Sequence, residues 1–458
     1  MGKQNVIFIL ADDMGYGDFG IFGDGRPKTP TLDRLVEEGL IMSHYYSASP
    51  VCTPARASIM TGRYPHRTGA VDTYERTGMD RLALDETTIA DVYRNNGYRT
   101  GLFGKWHLGG VGGDYHPMKR GFDEFIGIPW GWSHYFDYMV DNNGHMEKGN
   151  GYLTDVISRE SVNFINRNKE QPFFLYVAYN APHFPFECPE EYIAMFRDGV
   201  ITEEVATIYA MIYCMDKGIS SILEAVKANG LEEDTIVVFT SDNGPQLWGN
   251  FNRYNRYLQG EKGSCHDGGI RVPAIIRYPN KIKPGIKYHG FFHGCDWFPT
   301  LLKACDIPVP SHLKIDGISR LPELYGEQDT EYPINRYWQY NRFTPVSRCN
   351  AAVKKNKWKL VWPSIKEAFE YSHEVIDQDE EWKDNLDMIV EDIIPYDDSG
   401  RIIPPPHPPK LYNLENDPFE QNDLSSGYPE ITASLTREFC QWFEDVETDW
   451  KRTVFEKK

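Results

Sequence analysis

The chain has 458 residues, of which 41% are hydrophobic and 25% charged, the balance of a soluble globular protein with one large domain and a smaller appendage. Its 48 Lys+Arg against 67 Asp+Glu give a net charge of −19, which argues against nucleic acid as a partner, because that binding rests on cations that neutralise phosphates. No apolar run is long enough to span a bilayer, so membrane insertion is not expected.

Met1–Gln4 leads directly into Val6–Leu10, which reads as a buried strand ending at Asp12-Asp13 and a Gly-rich loop. Thr29-Pro30 looks like a cap with Pro in the first helical turn, and Gly39 closes that helix. Cys52-Thr53-Pro54-Ala55-Arg56 then opens a helix continuing through Ala57–Met60, with residue 52 at its N-terminus. Thr87–Asn96 is helical, and Tyr98–Phe103 is a strand running into Gly104-Lys105-Trp106-His107-Leu108-Gly109. A helix over Leu153–Asn166 precedes the continuous apolar strand Phe173–Tyr179, which ends at Asn180-Ala181-Pro182-His183. The longest helical pattern, Glu203–Ala228, stops at Asn229-Gly230. Thr235–Thr240 follows as a strand delivering Ser241-Asp242-Asn243, and Arg271–Arg277 is a further strand.

This alternation predicts an α/β fold over residues 1–328: a large, mainly parallel (mixed) sheet with helices on both faces. Residues 329–458 read as a smaller C-terminal α+β domain carrying an antiparallel sheet. Arg336–Trp362 alternates like hairpin strands with a turn at Asn356-Lys357, and Pro404–Pro409 reads as an extended arm. Ile431–Arg452 is an amphipathic helix with Leu435, Phe439, Trp442 and Phe443 on one side. Open α/β sheets bind ligands beyond the carboxyl ends of their strands. Asp12-Asp13, Asn180–His183 and Asp242-Asn243 all stand just past such ends. The eight cysteines show no metal-ligand spacing and no disulfide framework, so buried thiols are expected for all but Cys52.

The segment Cys52–Gly62 fits C-x-P-x-R-x-x-x-x-T-G, with five fixed positions, and resembles the modification signature of the type I, formylglycine-dependent sulfatases of the alkaline-phosphatase-like superfamily. A helix N-terminus at residue 52 suits an anionic nucleophile and an anionic substrate, and Arg56, one turn on, is placed to return towards residue 52. The resemblance extends to Gly104–Gly109, to Ala181–Pro185, to Lys262 before Asp267-Gly268-Gly269-Ile270-Arg271-Val272-Pro273, and to Leu411–Pro418, as in bacterial arylsulfatases and carbohydrate sulfatases. Asp267 stands where Glu is commoner in that family, and His266 adds a titratable neighbour that fits either a substrate contact or a surface loop.

The resemblance implies that Cys52 is converted to formylglycine (3-oxoalanine) by a formylglycine-generating or anaerobic maturation enzyme. One hydroxyl of the hydrated aldehyde attacks sulfur, and deprotonation of the other expels sulfate. It further implies that Asp12, Asp13, Asp242 and Asn243, with residue 52, hold a divalent cation, Ca²⁺ with Mg²⁺ as the alternative. Lys105 would bind sulfate or the hydrate, His107 would hydrogen-bond the hydrate and act as base in sulfate release, and His183 with Lys262 would bind sulfate and protonate the leaving oxygen.

The expected function is therefore hydrolysis of sulfate esters on a small molecule or an oligosaccharide, a glycosaminoglycan or algal sugar in particular. Trp130, Trp132, His134, Tyr135, Trp248, Arg253 and Arg256 are candidates for a sugar-facing rim, with core or interface packing as the alternative for each. A phosphodiesterase or phosphonate monoester hydrolase of the same superfamily is the nearest rival, and a non-catalytic glycan-binding protein on the same scaffold is a rival of another class. As the sequence stands, with no leader, a cytoplasmic location is expected; a periplasmic or secreted one follows if a leader has been removed.

Overall fold

Ten strands form one large sheet: β1 (Asn5–Ala11), β2 (Leu40–Tyr46), β3 (Arg99–Lys105), β4 (Glu124–Ile128), β5 (Met139–Asn142), β6 (His145–Lys148), β7 (Phe173–Ala178), β8 (Thr235–Ser241), β9 (Ala274–Arg277) and β10 (Ile286–His293). Their order is β10-β2-β9-β8-β1-β7-β3-β4-β5-β6. The central run β8-β1-β7-β3-β4 is parallel, whereas β9 and the β5–β6 hairpin run antiparallel to their neighbours. This computed structural model describes residues 3–110, 113–247, 253–327, 334–370, 377, 381 and 400–455.

Both faces of the central strands are covered, which is why they read as unbroken apolar runs. Ile7, Ile9 and Ala11 of β1 face one core, shared with helices α4 (Leu153–Asn168) and α5 (Glu203–Ala228), which follow α1 (Pro30–Glu38), α2 (Cys52–Thr61) and α3 (Ile89–Asn95) in the chain. Val6, Phe8 and Leu10 face the opposite core, built with residues of α2, α3 and α6 (Trp297–Ala304). The two-residue period of β1 thus divides the body into two layers of helices around one sheet.

A second sheet, order β11-β12-β13-β14, is antiparallel and comprises Arg336–Gln339, Ala351–Lys355, Trp358–Trp362 and Lys410–Asn413. Its one face packs Val353, Leu360 and Trp362 against Leu435, Phe439 and Phe443 of helix α7 (Pro429–Phe455). Its other face packs Trp338, Ala352 and Val361 against Tyr46 and Ile270 of the large-sheet body. Polar ties reinforce that junction: Trp338 Nε1 donates to the Ser47 carbonyl, and buried Lys359 Nζ lies 2.7 Å from Asp267 Oδ1 and 2.9 Å from Glu420 Oε1.

Two local expectations are corrected. Arg271 makes only an isolated bridge to Tyr46, and the strand starts at Ala274, after Pro273. Thr29 does not cap α1; Asp216 of α5 accepts the Thr31 and Leu32 N–H groups at 3.0 and 2.8 Å, so the orphan donors are satisfied from a distant helix. Gly39 ends α1 without a left-handed turn; a Cβ there would lie 2.6 Å from the Ile276 carbonyl oxygen. No helix of the described residues is long and apolar enough to cross a membrane.

Candidate active site

Four adjacent strands, β8, β1, β7 and β3, deliver side chains to one edge of the sheet. Past their carboxyl ends stand Asp242-Asn243, Asp12-Asp13, Asn180–His183, and Lys105 with His107. The backbone at these tips is interlocked: Asp12 N–H donates to the Ala181 carbonyl, Asp242 N–H to the Ala11 carbonyl, and Asp13 N–H to Asp242 Oδ1 at 3.2 Å. Asp13 (φ 67°) and His107 (φ 56°) are left-handed, so each strand turns sharply where its functional side chain begins.

Residue 52 arrives from the other layer. Helix α2 begins at Cys52 after an extended Val51, and the whole helix is buried. The motif's last two residues shape that helix: Thr61 Oγ1 donates to the Ala57 carbonyl, and Gly62 ends it at φ 71° with its N–H on Ser58 O at 2.9 Å. A Cβ at Gly62 would lie 2.9 Å from Phe298 Cβ, so glycine fits both the turn and the packing. Burial pushes the Cys52 thiol up, opposed by Lys105 and Lys262 and assisted by Asp12 and Asp242, the charged groups gathered around it.

Arg56 is fully buried and locks this arrangement. Its Nη2 and Nε lie 2.8 and 2.9 Å from Asp242 Oδ2, and Nη1 donates to the Lys105 carbonyl at 3.0 Å. The fork expected to reach back to residue 52 is used instead to join strand tips β8 and β3 through α2.

Three carboxylates, Asp12, Asp13 and Asp242, meet three cations, Arg56, Lys105 and Lys262. Burial and the neighbouring Asp12 push the Asp242 carboxyl up to about 7 against the pull of Arg56 and Lys105. Lys105 Nζ lies 2.6 Å from Asp12 Oδ2, and Lys262 Nζ lies 2.6 Å from Asp13 Oδ2. Burial opposes ionisation of Asp13, but Lys262 and His183 outweigh it and hold that carboxyl far below its ordinary range. Asp12 Oδ1 and Asn243 Oδ1 are buried with no hydrogen-bond partner, and Asp12, Asp13 and His183 offer ligand atoms within 4.8 Å of one another. Buried oxygens without donors, beside carboxylates drawn onto ammonium groups, fit a hard divalent cation held by Asp12, Asp13, Asp242 and Asn243.

The histidines are fixed by carbonyls. His107 Nε2 lies 3.1 Å from Thr73 O and 3.4 Å from Glu75 Oε1; both oxygens accept, so Nε2 carries the proton and Nδ1 the lone pair. Gly131 makes room for that ring, since a Cβ there would meet His107 Cε1 at 2.6 Å. His183 Nδ1 donates to the Phe184 carbonyl, leaving Nε2 3.8 Å from Asp13 Oδ2. Burial, then Lys262 and Lys105, hold the His183 imidazole down at about 3.

The expected rim separates into different places. Trp130 is buried, Tyr135 lies in the core, and Trp132 stacks edge-on with His134, which pairs with Glu187 at 2.8 Å. Arg253 is buried, with Nη2 2.6 Å from Asp18 Oδ2 and 2.9 Å from the Asp13 carbonyl, so it braces the Asp13 turn and does not face a sugar. Arg256 is exposed on a different cavity. Trp248 lies outside the described residues.

The cleft beside the nucleophile has instead a wall that the sequence reading missed. A cavity of about 520 Å³ is lined by Val51 and Lys262 on one side and, on the other, by Tyr340, Arg342 and Asn350 of the β11–β12 connection and Trp362 of β13. His266 lines it too, with Nδ1 3.2 Å from Glu420 Oε1. Arg342 is seated by Asp72 Oδ1 at 2.6 Å and Thr73 Oγ1 at 2.8 Å, with its guanidinium 4.5 Å from the centroid of Tyr74. Asp72, Glu75 and Arg342 carry no local motif; Asp72 and Arg342 are revealed by their pairing across 270 positions, and Glu75 by its contacts with His107 and Gly131.

Known proteins are similar to this chain in sequence and fold. The family model described as "Sulfatase" matches residues 4–307, and that for "N-sulphoglucosamine sulphohydrolase, C-terminal" matches 259–391. The chain is 34% identical over 391 residues to the uncharacterized sulfatase YdeN of Escherichia coli K12, covering 74% of this chain and 69% of that one. It is 32% identical over 365 residues to human N-acetylgalactosamine-6-sulfatase, covering 73% and 68%. The crystal structure of Ps i-CgsB in complex with k-i-k-neocarrahexaose superposes with a TM-score of 0.82 at 29% identity, covering 99% of this chain and 98% of that one.

Proposed function

The chain belongs to the sulfatase family, and from that membership we propose that it hydrolyses sulfate esters of a sulfated carbohydrate at residue 52. The observation that carries this reading is the set of charges around Cys52: Lys105 and Lys262 on one side, Asp12 and Asp242 on the other, at a helix N-terminus. Two ammonium groups and a helix end favour a sulfate ester. The carboxylates, with Asn243, favour a divalent cation, which when bound lowers the pKa of the nucleophile and neutralises sulfate charge. Ca²⁺ is the better match than Mg²⁺ because protein oxygens fill most positions. Converted to formylglycine, residue 52 supplies a hydrated aldehyde, with one hydroxyl for attack and a second for release.

The chain's own residues do the rest. Arg56 holds Asp242 and the end of β3 in register, so the cation ligands and Lys105 keep their places. Lys105 and Lys262, now resting on Asp12 and Asp13, turn to the sulfate oxygens as the ester enters. His107, its Nε2 proton held by Thr73 and Glu75, accepts a proton at Nδ1 from residue 52 when sulfate leaves. His183 presents Nε2 to the leaving oxygen. The sulfate ester offsets the Lys262 and Lys105 charges that keep this imidazole neutral, so proton uptake at Nε2 accompanies substrate binding.

Arg342 and the half-buried Phe369 form the carbohydrate side of the cleft: an aromatic face for a pyranose ring and a cation for a further sulfate or carboxylate. The relatives named N-acetylgalactosamine-6-sulfatase and the carrageenan complex point to the same class, a glycosaminoglycan or algal oligosaccharide. A panel of defined sulfated oligosaccharides, with sulfate release measured against an aryl sulfate and a phosphodiester, tests this. Turnover of at least one sugar sulfate is expected, with the phosphodiester slower; the reverse order, or hydrolysis of aryl esters alone, overturns it.

A further inference from the structure

A separate cavity of about 390 Å³ opens between β2, β10 and the loops at 256–258 and 418–419, and it shares no lining residue with the cleft at Lys262. Its charged groups are Arg256, Arg271 and Lys287, with His289 beside them, and its aromatic walls include Tyr16, Phe22 and Phe419. No acidic side chain lines it among the described residues.

In a chain of net charge −19, cations without acidic partners are informative. Arg256 and Lys287 are both exposed, and neither side chain makes a hydrogen bond or ion pair with a described residue. The Arg256 guanidinium lies 5.7 Å from the Phe22 centroid, and that of Arg271 lies 5.7 Å from the Tyr16 centroid, so each cation is shelved on an aromatic ring. Arg271 is anchored by the Ser43 carbonyl at 2.8 Å and lies 3.6 Å from Asp267 Oδ2, so among the described residues the two cations of this cavity with no acidic partner are Arg256 and Lys287.

The backbone adds an independent sign. Arg256 (φ 54°) and Tyr257 (φ 60°) are consecutive non-glycine residues in the left-handed region, a conformation that persists only where the surroundings enforce it and that gathers at ligand clamps. The turn is held by Leu258 N–H on Asn255 O and by Asn255 Nδ2 on Gly268 O, and it carries Arg256 to the cavity. The flank carries further basic groups, with Asp267 as their acidic counterpart. Burial, then Arg271 and Lys354, hold the His44 imidazole of β2 down at about 4.

We propose that this cavity is a second binding site, apart from the catalytic cleft, for a sulfated sugar whose ring face lies on Phe419 and whose sulfates pair with Arg256 and Lys287. Aromatic walls alone fit any sugar and cations alone fit any anion; the combination selects a sugar that carries sulfate. The site holds a sugar without reacting with it, so it stands or falls independently of the chemistry at residue 52.

The test uses the full chain with Cys52→Ala, so that no probe is consumed, and measures retardation in gels containing dextran sulfate, neutral dextran or polyglutamate. Dextran sulfate is expected to retard the chain, and Lys287→Glu with His289→Ala to weaken that retardation several-fold; Lys287→Gln, which adds no repulsion, should weaken it less. The same substitutions with Cys52 intact should leave aryl sulfate turnover unchanged, which also shows that they fold. Unchanged retardation overturns the site. Equal retardation by polyglutamate overturns the sugar assignment, and loss of aryl sulfate turnover in both variants overturns the separation of the two sites.

Discussion

Arg56 and Asp242 form an ion pair 2.8 Å long in which neither side chain has any exposure, and it ties helix α2 to the tip of β8. Removing one member of such a pair strands the other charge in a dry interior, at a cost of about 3–5 kcal/mol. Arg56→Ala is therefore expected to lower the free energy of unfolding in urea by that amount and to abolish turnover, because Asp242 and the end of β3 lose their common brace. A variant with wild-type stability would show that the pair is not structural.

Cation removal gives a second test. If Asp12, Asp13, Asp242 and Asn243 hold a divalent ion, prolonged chelation removes both its charge and the stabilisation that a bound ligand confers, about 4 kcal/mol at a thousandfold excess over Kd. Turnover should vanish and the melting temperature fall, and added Ca²⁺ should restore both. Persistence of full turnover after the metal content has been shown to be negligible would remove the cation from the account.

Arg342 should act on substrate selection. Its guanidinium is fixed by Asp72, Thr73 and the Tyr74 ring and lines the cleft beside Lys262. Arg342→Lys keeps the charge and loses the planar fork. It is expected to raise KM for an oligosaccharide with a second anionic group about 10-fold or more, a cost of about 1.4 kcal/mol, while kcat for a simple aryl sulfate moves little. Equal losses on both substrates would make Arg342 a structural residue.

Acid should loosen the junction between the two sheets. Burial holds the His66 imidazole, bonded to Gln339 at 2.8 Å and edge-on to Trp442, down at about 4. A depressed folded-state pKa means that the folded chain favours the neutral ring. The contribution is therefore complete above the ordinary value near 6.5 and is lost as pH falls towards 4, about 3 kcal/mol in all. Urea unfolding of His66→Gln should depend less on pH across that window than the parent does. Identical slopes would assign the acid sensitivity to other groups.

Much of this was legible because it is local. Glu203–Ala228 was readable to the residue: Thr202 caps it, Asn229-Gly230 stops it, and its apolar face is long. The central strands were legible because burial on both faces leaves them wholly apolar, and the Cys52 segment because its turn, helix and cap lie within eleven residues. What escaped depends on distant pairing. β2 was missed because Ser43 and His44 interrupt its pattern, and its partners β9 and β10 lie more than 200 residues on. Arg253 looked like a surface cation, yet its partner Asp18 is 235 positions away. Arg342 and Asp72 are separated by 270 positions and no periodicity marks either of them.

Conversion of residue 52 has its own readout. The peptide carrying it, isolated from cells that possess a maturation enzyme, is expected to show the mass of formylglycine in place of cysteine. Material from cells without such an enzyme should show cysteine and turn over no sulfate ester. Full activity of the cysteine form would mean that the modification is not needed.

The account rests most directly on residue 52 as the reacting centre. Sulfate release from an aryl sulfate by the Cys52→Ala chain, at equal folded concentration and with Ca²⁺ present, is the measurement that isolates it. A fall of about 10⁴-fold or more is predicted, the scale on which removing a nucleophile from a working site is felt. Turnover within a few-fold of the unsubstituted chain would contradict the account outright.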